Sequence, residues 1–289
     1  MAAISDMTAG AERRKFVRRL FKRKTVVFGV AVLTIFVLLA VFAPLIAPYA
    51  PAKLSIVNRL KPPSLIHLFG TDEFGRDVFT RTIYAGRLSL LVGGAVVALA
   101  AVIGVTLGLL AGFFKQLDTP IARLIDAMMA FPDILLAIAL VAALGPSLTT
   151  VIIALSIVYA PRLARIVRAS TLVIRELPYV EAARALGVST LHIMTRHVLR
   201  NLLSPILVQG TFLFANAMLA EAGLSFLGLG VSPDIPTWGT MIAAGRQYLD
   251  QANWMTLFPG FAIILSVLSL QMVGDGLRDI LDPRLRKDL

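Results

Sequence analysis

The sequence predicts an all-α integral membrane protein of six transmembrane helices, and three observations carry that prediction. Of 289 residues, 57% are hydrophobic and only 16% are charged, against roughly 45–50% and about 25% in soluble domains. Long charge-free runs recur along the chain, each near the ~20 apolar residues that a spanning helix needs. Lys and Arg gather between alternate runs, as retention of basic residues on the cytoplasmic side requires. The same composition excludes other classes. There is no cysteine, hence no disulfide framework, iron–sulfur cluster or thiol nucleophile. The net charge of +11 would suggest nucleic acid in a soluble chain; here it resolves into topology, and no basic patch interleaved with aromatics accompanies it.

Each element follows in order. Residues 1–25 are a basic N-terminal segment with eight Lys and Arg from Arg13 to Lys24. The first span, 26–47, has its core at Val26–Ile46 and is ended by Pro44, Pro48 and Pro51. It exceeds the 7–15 apolar residues or so of a signal peptide and lacks a small-x-small cleavage site, so it is read as an uncleaved anchor. An external segment, 48–86, precedes a second span at Leu88–Phe114. There Gly104, Gly108 and Gly112 lie four apart on one helix face and admit a neighbouring helix, read as packing inside the bundle rather than as a dimer motif.

The charge-free run Ile134–Pro161 carries Gly145-Pro146-Ser147 near its middle. Gly-Pro is a turn signal, so the run divides into a third span, Thr119–Leu144, and a fourth, Ser147–Ile174. Arg123 and Asp126, three apart, are expected to pair at the membrane surface. With six spans both termini are cytoplasmic and 21 of the 28 Lys and Arg stay inside; with five, the segment 162–200 and the tail turn outward. The fifth span is Asn201–Ala220, an external segment covers 221–250, and the last span is Gln251–Gly274. The permease core thus runs over 87–280 and a cytoplasmic tail over 281–289. Trp238 and Trp254 are expected in an aromatic belt at the outer interface.

Chemistry-bearing patterns are sparse. Arg162, Arg165 and Arg168 repeat every third residue like a voltage sensor, but snorkelling into headgroups accounts for them. His192 and His197, five apart, diverge on an α-helix, and with His67 alone besides them no metal site is expected. Asp133 is the main unpaired intramembrane carboxylate. There is no Gly-x-Ser-x-Gly elbow and no phosphate loop, so the chain has no nucleotide-hydrolysing machinery of that kind.

The loop 177–201 is the most informative stretch. Pro178 suits the first turn of a helix, Tyr179, Ala183 and Leu186 form an apolar face, and Gly187 stops the helix in a left-handed cap. Ser189 is placed to cap a second helix carrying His192, Arg196, His197 and Arg200. The product is a short knob projecting from two spans, either a lever for a cytoplasmic partner or a surface helix resting on headgroups.

Glu181-Ala182-Ala183, three residues, then Gly187 resembles the Glu-Ala-Ala loop of ABC importer permeases. Gly70–Asp77, Glu221–Gly230, Pro236–Gly239 and Gly274–Pro283 are similar to the peptide-type (dipeptide, oligopeptide, nickel) subfamily. One departure is the loop's ending: His197-Val198-Leu199-Arg200 stands where the general importer pattern has Ile-x-Leu-Pro, which looks like the peptide-type variant and disfavours sugar or amino-acid cargo. The resemblance implies a multi-pass protein of the bacterial inner membrane, not itself an enzyme. Its implied partners are a second homologous permease, two cytoplasmic ATPase subunits that bind ATP and Mg, a periplasmic or extracellular substrate-binding protein and the lipid bilayer, with no nucleic acid. It implies ATPase coupling through Tyr179, Glu181, Ala182, Ala183, Arg184 and Gly187, no cofactor in this chain, and peptides as cargo ahead of nickel chelates, glutathione or opines. The alternative is a secondary transporter or channel without ATPase partners; a membrane hydrolase lacks a nucleophile–base pair.

Overall fold

In the computed structural model, residues 20–281 are described; most of the basic N-terminal segment and the tail from Asp282 lie outside them. The first apolar run forms α1 (Lys24–Val41), which stops at Phe42 and gives way to a single turn, Ala43–Ile46, with Pro44 in its first turn. After the segment 47–77, α2 (Val78–Phe113) begins at its cap Asp77, whose carboxylate accepts the Thr80 N–H at 2.8 Å. It starts at Val78 rather than Leu88. At 36 residues it is about 54 Å long, longer than the ~30 Å of hydrocarbon, and its first turns carry Arg81 and Arg87.

The third span is not one helix. α3 (Lys115–Met129) and α4 (Asp133–Leu144) meet at a bend of 91°. Pro132 disfavours the α conformation at Phe131, and α4, with 12 residues, reaches only about 18 Å, too short to cross alone. Five helices are long and apolar enough to span a membrane, and the bent pair makes a sixth at most. Gly145, at φ +87°, turns the chain into α5 (Leu148–Ile174), whose cap Ser147 accepts the Thr150 N–H at 3.1 Å. α6 (Pro178–Ala185), α7 (Thr190–Phe226), α8 (Trp238–Gly245) and α9 (Trp254–Leu281) follow.

The bundle is organised by α2 and α5, which pack along their length. A Cβ on Gly104 would lie 2.7 Å from the Ala160 carbonyl oxygen, and one on Gly108 would lie 2.6 Å from that of Ala164. A Cβ on Gly112 would meet Thr171 Cβ at 2.5 Å. The glycine face is therefore filled from within the chain. Val92, Val96 and Ala100 of α2 join Leu155 and Leu163 of α5 and Leu213 of α7 in the main apolar core. α1 is peripheral and rests on α9.

Two ends are defined by the contacts between distant segments. At the arginine-rich end, Arg175 donates to the Gly112 carbonyl at 2.8 Å and Arg23 pairs with Asp279. At the opposite end, Trp238 Nε1 donates to Thr82 O at 2.9 Å and Trp254 Nε1 donates to Thr71 O at 3.0 Å.

Candidate functional site

At the arginine-rich end the chain leaves α5, forms α6, turns sharply and enters α7. Pro178 sits in the first turn of α6 and Gly187 closes it at φ +76°. The Gly187 N–H donates to Arg184 O at 3.0 Å and the Val188 N–H to Ala183 O at 3.1 Å, the paired bonds of a Schellman cap. The turn is thus closed by its own backbone. No side-chain capping bond forms at Ser189, which occupies the N-cap position of the next helix.

The buried face of α6 is not the expected one. Val180 and Ala183 face the chain's core, whereas Tyr179 is 43% exposed and Leu186 83% exposed. Tyr179 is drawn aside because its hydroxyl accepts from Asn201 Nδ2 at 3.0 Å. The free face carries Glu181, Ala182, Ala185 and Leu186. Arg184 lies with its guanidinium 5.1 Å from the Phe113 ring centroid, so α6 is stacked onto the end of α2 by a cation–π contact. Of the residues singled out in the sequence, Tyr179, Glu181, Ala182, Arg184 and Gly187 share this knob; Ala183 is turned inward.

The entry to α7 winds as a π-helix over Ile193–Val198. A π turn holds more residues than an α turn, so residues five apart come back to one face. His192 and His197 therefore approach, with ring centroids 6.0 Å apart, instead of diverging. Among the described residues no group of three His, Cys, Asp or Glu is arranged to hold a metal ion.

Beside the knob, three ion pairs join α5 to the bent helices. Arg162 binds Asp133 at 2.8 Å, Arg165 binds Asp126 at 2.6 Å and Arg168 binds Asp118 at 2.5 Å. This corrects three expectations: Asp133 is paired, the partner of Asp126 is Arg165 rather than Arg123, and the arginines are held by carboxylates. Asp118, Asp126 and Asp133, seven or eight apart, facing an arginine triplet were the available signal. Because the pairs are partly exposed, each contributes little by itself; together they tie α3 and α4 to α5.

The opposite end is a packed cap. Trp238 is 1% exposed, not in an interfacial belt: its ring packs edgewise on Phe36 at 5.5 Å, and its backbone N–H donates to Ser89 Oγ at 3.1 Å. Trp254 is half-buried and bonded to Thr71. Glu221 Oε1 accepts from Ser225 Oγ and Thr237 Oγ1, both at 2.9 Å, fastening the start of α8 to α7. The charges of Gly70–Asp77 are paired with one another and with the flanking His67 and Arg81. Arg76 Nε donates to Asp72 Oδ2 at 2.6 Å, and His67 Nδ1 lies 2.9 Å from Asp77 Oδ1.

Burial, reinforced by the adjacent Asp72 carboxylate, holds the Glu73 carboxyl above the usual range against the pull of Arg76 and Arg81. A carboxyl raised in the folded state stabilises it fully below the ordinary glutamate pKa, and that contribution is lost as pH rises through the folded pKa. Glu73→Gln is therefore expected to melt higher than the unsubstituted chain at about pH 8, with the gap closing towards about pH 4. Thermal scans of the detergent-purified chain across that range check this; a gap that widens on acidification would contradict it.

Residues 104–287 match the model of the binding-protein-dependent transport system inner membrane component family, and residues 13–63 match the N-terminal transmembrane domain of oligopeptide transport permease C. A putative peptide transport system permease protein of Brucella suis biovar 1 is 53% identical over 93% of this chain and 91% of its own length. The dipeptide transport system permease protein of Alkalihalophilus pseudofirmus is 47% identical over 96% of this chain and 92% of its own. Among solved structures, the methionine ABC transporter in an inward-facing conformation matches with TM-score 0.53 and 22% identity, covering 67% of this chain and 93% of that one. At that identity the likeness is one of fold.

Proposed function

We propose a function for a chain that belongs to the binding-protein-dependent transport system inner membrane component family: it is the membrane-spanning permease subunit of an ATP-driven importer of peptides. The observation that carries this reading is the α6 knob, a Schellman-closed helix presenting Glu181, Ala182 and Leu186 from the junction of two long helices. Such a knob is a docking element for partner ATPases, which hold the nucleotide and Mg; this chain holds neither. In this reading the bent pair α3–α4 is the remaining span, so that six spans leave both termini cytoplasmic, and the arginine-rich end faces the cytoplasm.

The mechanism is alternating access, in which closure of the ATPases displaces α6. The movement reaches α2 through Arg184 on Phe113 and Arg175 on Gly112 O, and it reaches α7 through the continuous backbone. α3 and α4 follow α5 through the three Arg–Asp pairs. A second permease of the same kind completes the pathway. A substrate-binding protein delivers cargo to the opposite end, where Glu221–Thr237 and Trp238–Thr82 hold the cap. Peptide cargo is supported by the relatives named peptide and dipeptide permeases.

Co-purification from native membranes in mild detergent, with mass spectrometry, tests the assembly. A second permease and Walker-motif ATPases are expected to accompany the chain and to be lost when 181–187 is replaced by a flexible linker. A chain that stays folded but purifies alone would favour a secondary transporter.

A further inference from the structure

α1 and α9 touch closely at the arginine-rich end and part towards the other. Near Arg23 and Asp279, which pair, small residues bring the helices together: a Cβ on Gly29 would lie 2.8 Å from Ser269 O, and one on Gly276 would lie 2.1 Å from Val26 Cγ2. At the opposite end the seam opens into a cavity of about 200 Å³. Phe36 and Leu39 of α1 form one wall, Ile83 and Gly86 of α2 another, and Phe258, Phe261 and Leu265 of α9 a third. Trp238 also lines it.

The wall is apolar and its few polar groups are engaged elsewhere. The Thr82 hydroxyl donates to Val78 O at 2.7 Å, and Trp238 Nε1 donates to Thr82 O at 2.9 Å. A water needs two to four polar partners, and an apolar cavity of ~150 Å³ stays dry yet takes up apolar ligands. An empty cavity forfeits dispersion contacts along its whole lining. Phe261 is 57% exposed and Leu265 39% exposed, so the mouth is continuous with the lipid-facing surface of the membrane-spanning helices.

We propose that this cavity binds one acyl chain of a bilayer phospholipid, entering from the leaflet at the opposite end and wedging α1 against α2 and α9. The inference uses the membrane location of the chain, not the importer reading, and its test reads lipid contact rather than transport, so either can fail alone.

Trp238 is the reporter. The full chain carrying Trp254→Phe, reconstituted in phosphatidylcholine vesicles, retains a single tryptophan that is 1% exposed and lines the cavity. Its emission is expected to fall when the vesicle lipid carries brominated acyl chains, because a chain in the cavity meets the indole. Filling the cavity by Ala262→Phe, or separately by Ile83→Phe, is expected to restore most of that emission in variants that elute monodisperse. Absence of quenching in the Trp254→Phe parent would overturn the proposal by itself. So would equal quenching in a folded, filled variant. Quenching that appears only as the protein is diluted in lipid would assign the mouth to a protein neighbour, and would likewise overturn it.

Discussion

Gly108→Leu is expected to prevent the chain from reaching a stable folded state. The position lies mid-way along the α2–α5 contact, where even a methyl group would stand 2.6 Å from the Ala164 carbonyl oxygen and 2.6 Å from Val167 Cβ. Backbone cannot rotate out of the way as a side chain can, so α2 and α5 must separate. Overpacking commonly destabilises by about 1–3 kcal/mol, and occasionally by more. Here it also opens the contacts at Gly104 and Gly112 on the same face, and with them Arg175 on Gly112 O and Arg184 on Phe113. A loss at or above the top of that range is large against total stabilities of roughly 5–15 kcal/mol.

The check is the yield of monodisperse protein in detergent and its melting temperature, beside Gly260→Leu as control. Gly260 lies in α9 with nothing within 4 Å of its added Cβ, so its substitution is expected to be neutral. If Gly108→Leu folds as well as Gly260→Leu, or loses only an oligomer while the monomer stays intact, the glycine face does not hold α2 to α5.

What the sequence disclosed and what it hid divide along a physical line. Gly145 and Gly187 were legible because a positive φ is a local demand that few residues other than glycine meet. The Gly104–Gly112 face was legible because helical spacing alone places it. The bend at Phe131-Pro132 was not: hydropathy averages over a window, and apolar residues on both sides of Pro132 read as one span. The extra turns of α2 escaped for the converse reason, since Arg81 and Arg87 broke the apolar run in a helix that is longer than that run.

Pairings across the fold were the hardest to read. Asp126 has an i−3 arginine on its own helix, yet it bonds Arg165 of α5, a choice set by where the bend puts α3. Trp238 looked interfacial because indole is amphipathic, but Gly86 leaves room for its ring, with an added Cβ only 3.1 Å away. The π turn at Ile193–Val198 has no proline to announce it, and it alone reverses the expectation for His192 and His197.

The knob gives the second large effect, and a different kind of failure. Gly187→Val is expected to leave the chain inserted and folded while abolishing transport per ATP hydrolysed. Apart from Gly187 itself and the residues on either side of it in the chain, nothing lies within 4 Å of a Cβ built there, so valine meets no packed neighbour; the conflict is with φ +76° itself. An L-residue in the left-handed region is less stable by about 1–2 kcal/mol, and a β-branched one is a genuine outlier there. The turn is expected to relax to negative φ, breaking the bonds from Gly187 N–H to Arg184 O and from Val188 N–H to Ala183 O. α6 then no longer holds a fixed angle between α5 and α7, and displacement of the knob is spent in bending the turn. The measurement is uptake per ATP hydrolysed in proteoliposomes carrying the complete transporter, with melting temperature of the complex as the folding control. Gly187→Asn separates the conformational cause from mere loss of glycine, because asparagine occupies left-handed caps; it is expected to retain most of the coupling that valine loses. Equal coupling in the valine and asparagine variants, or normal uptake per ATP with valine, would mean that the turn's rigidity does not transmit the stroke.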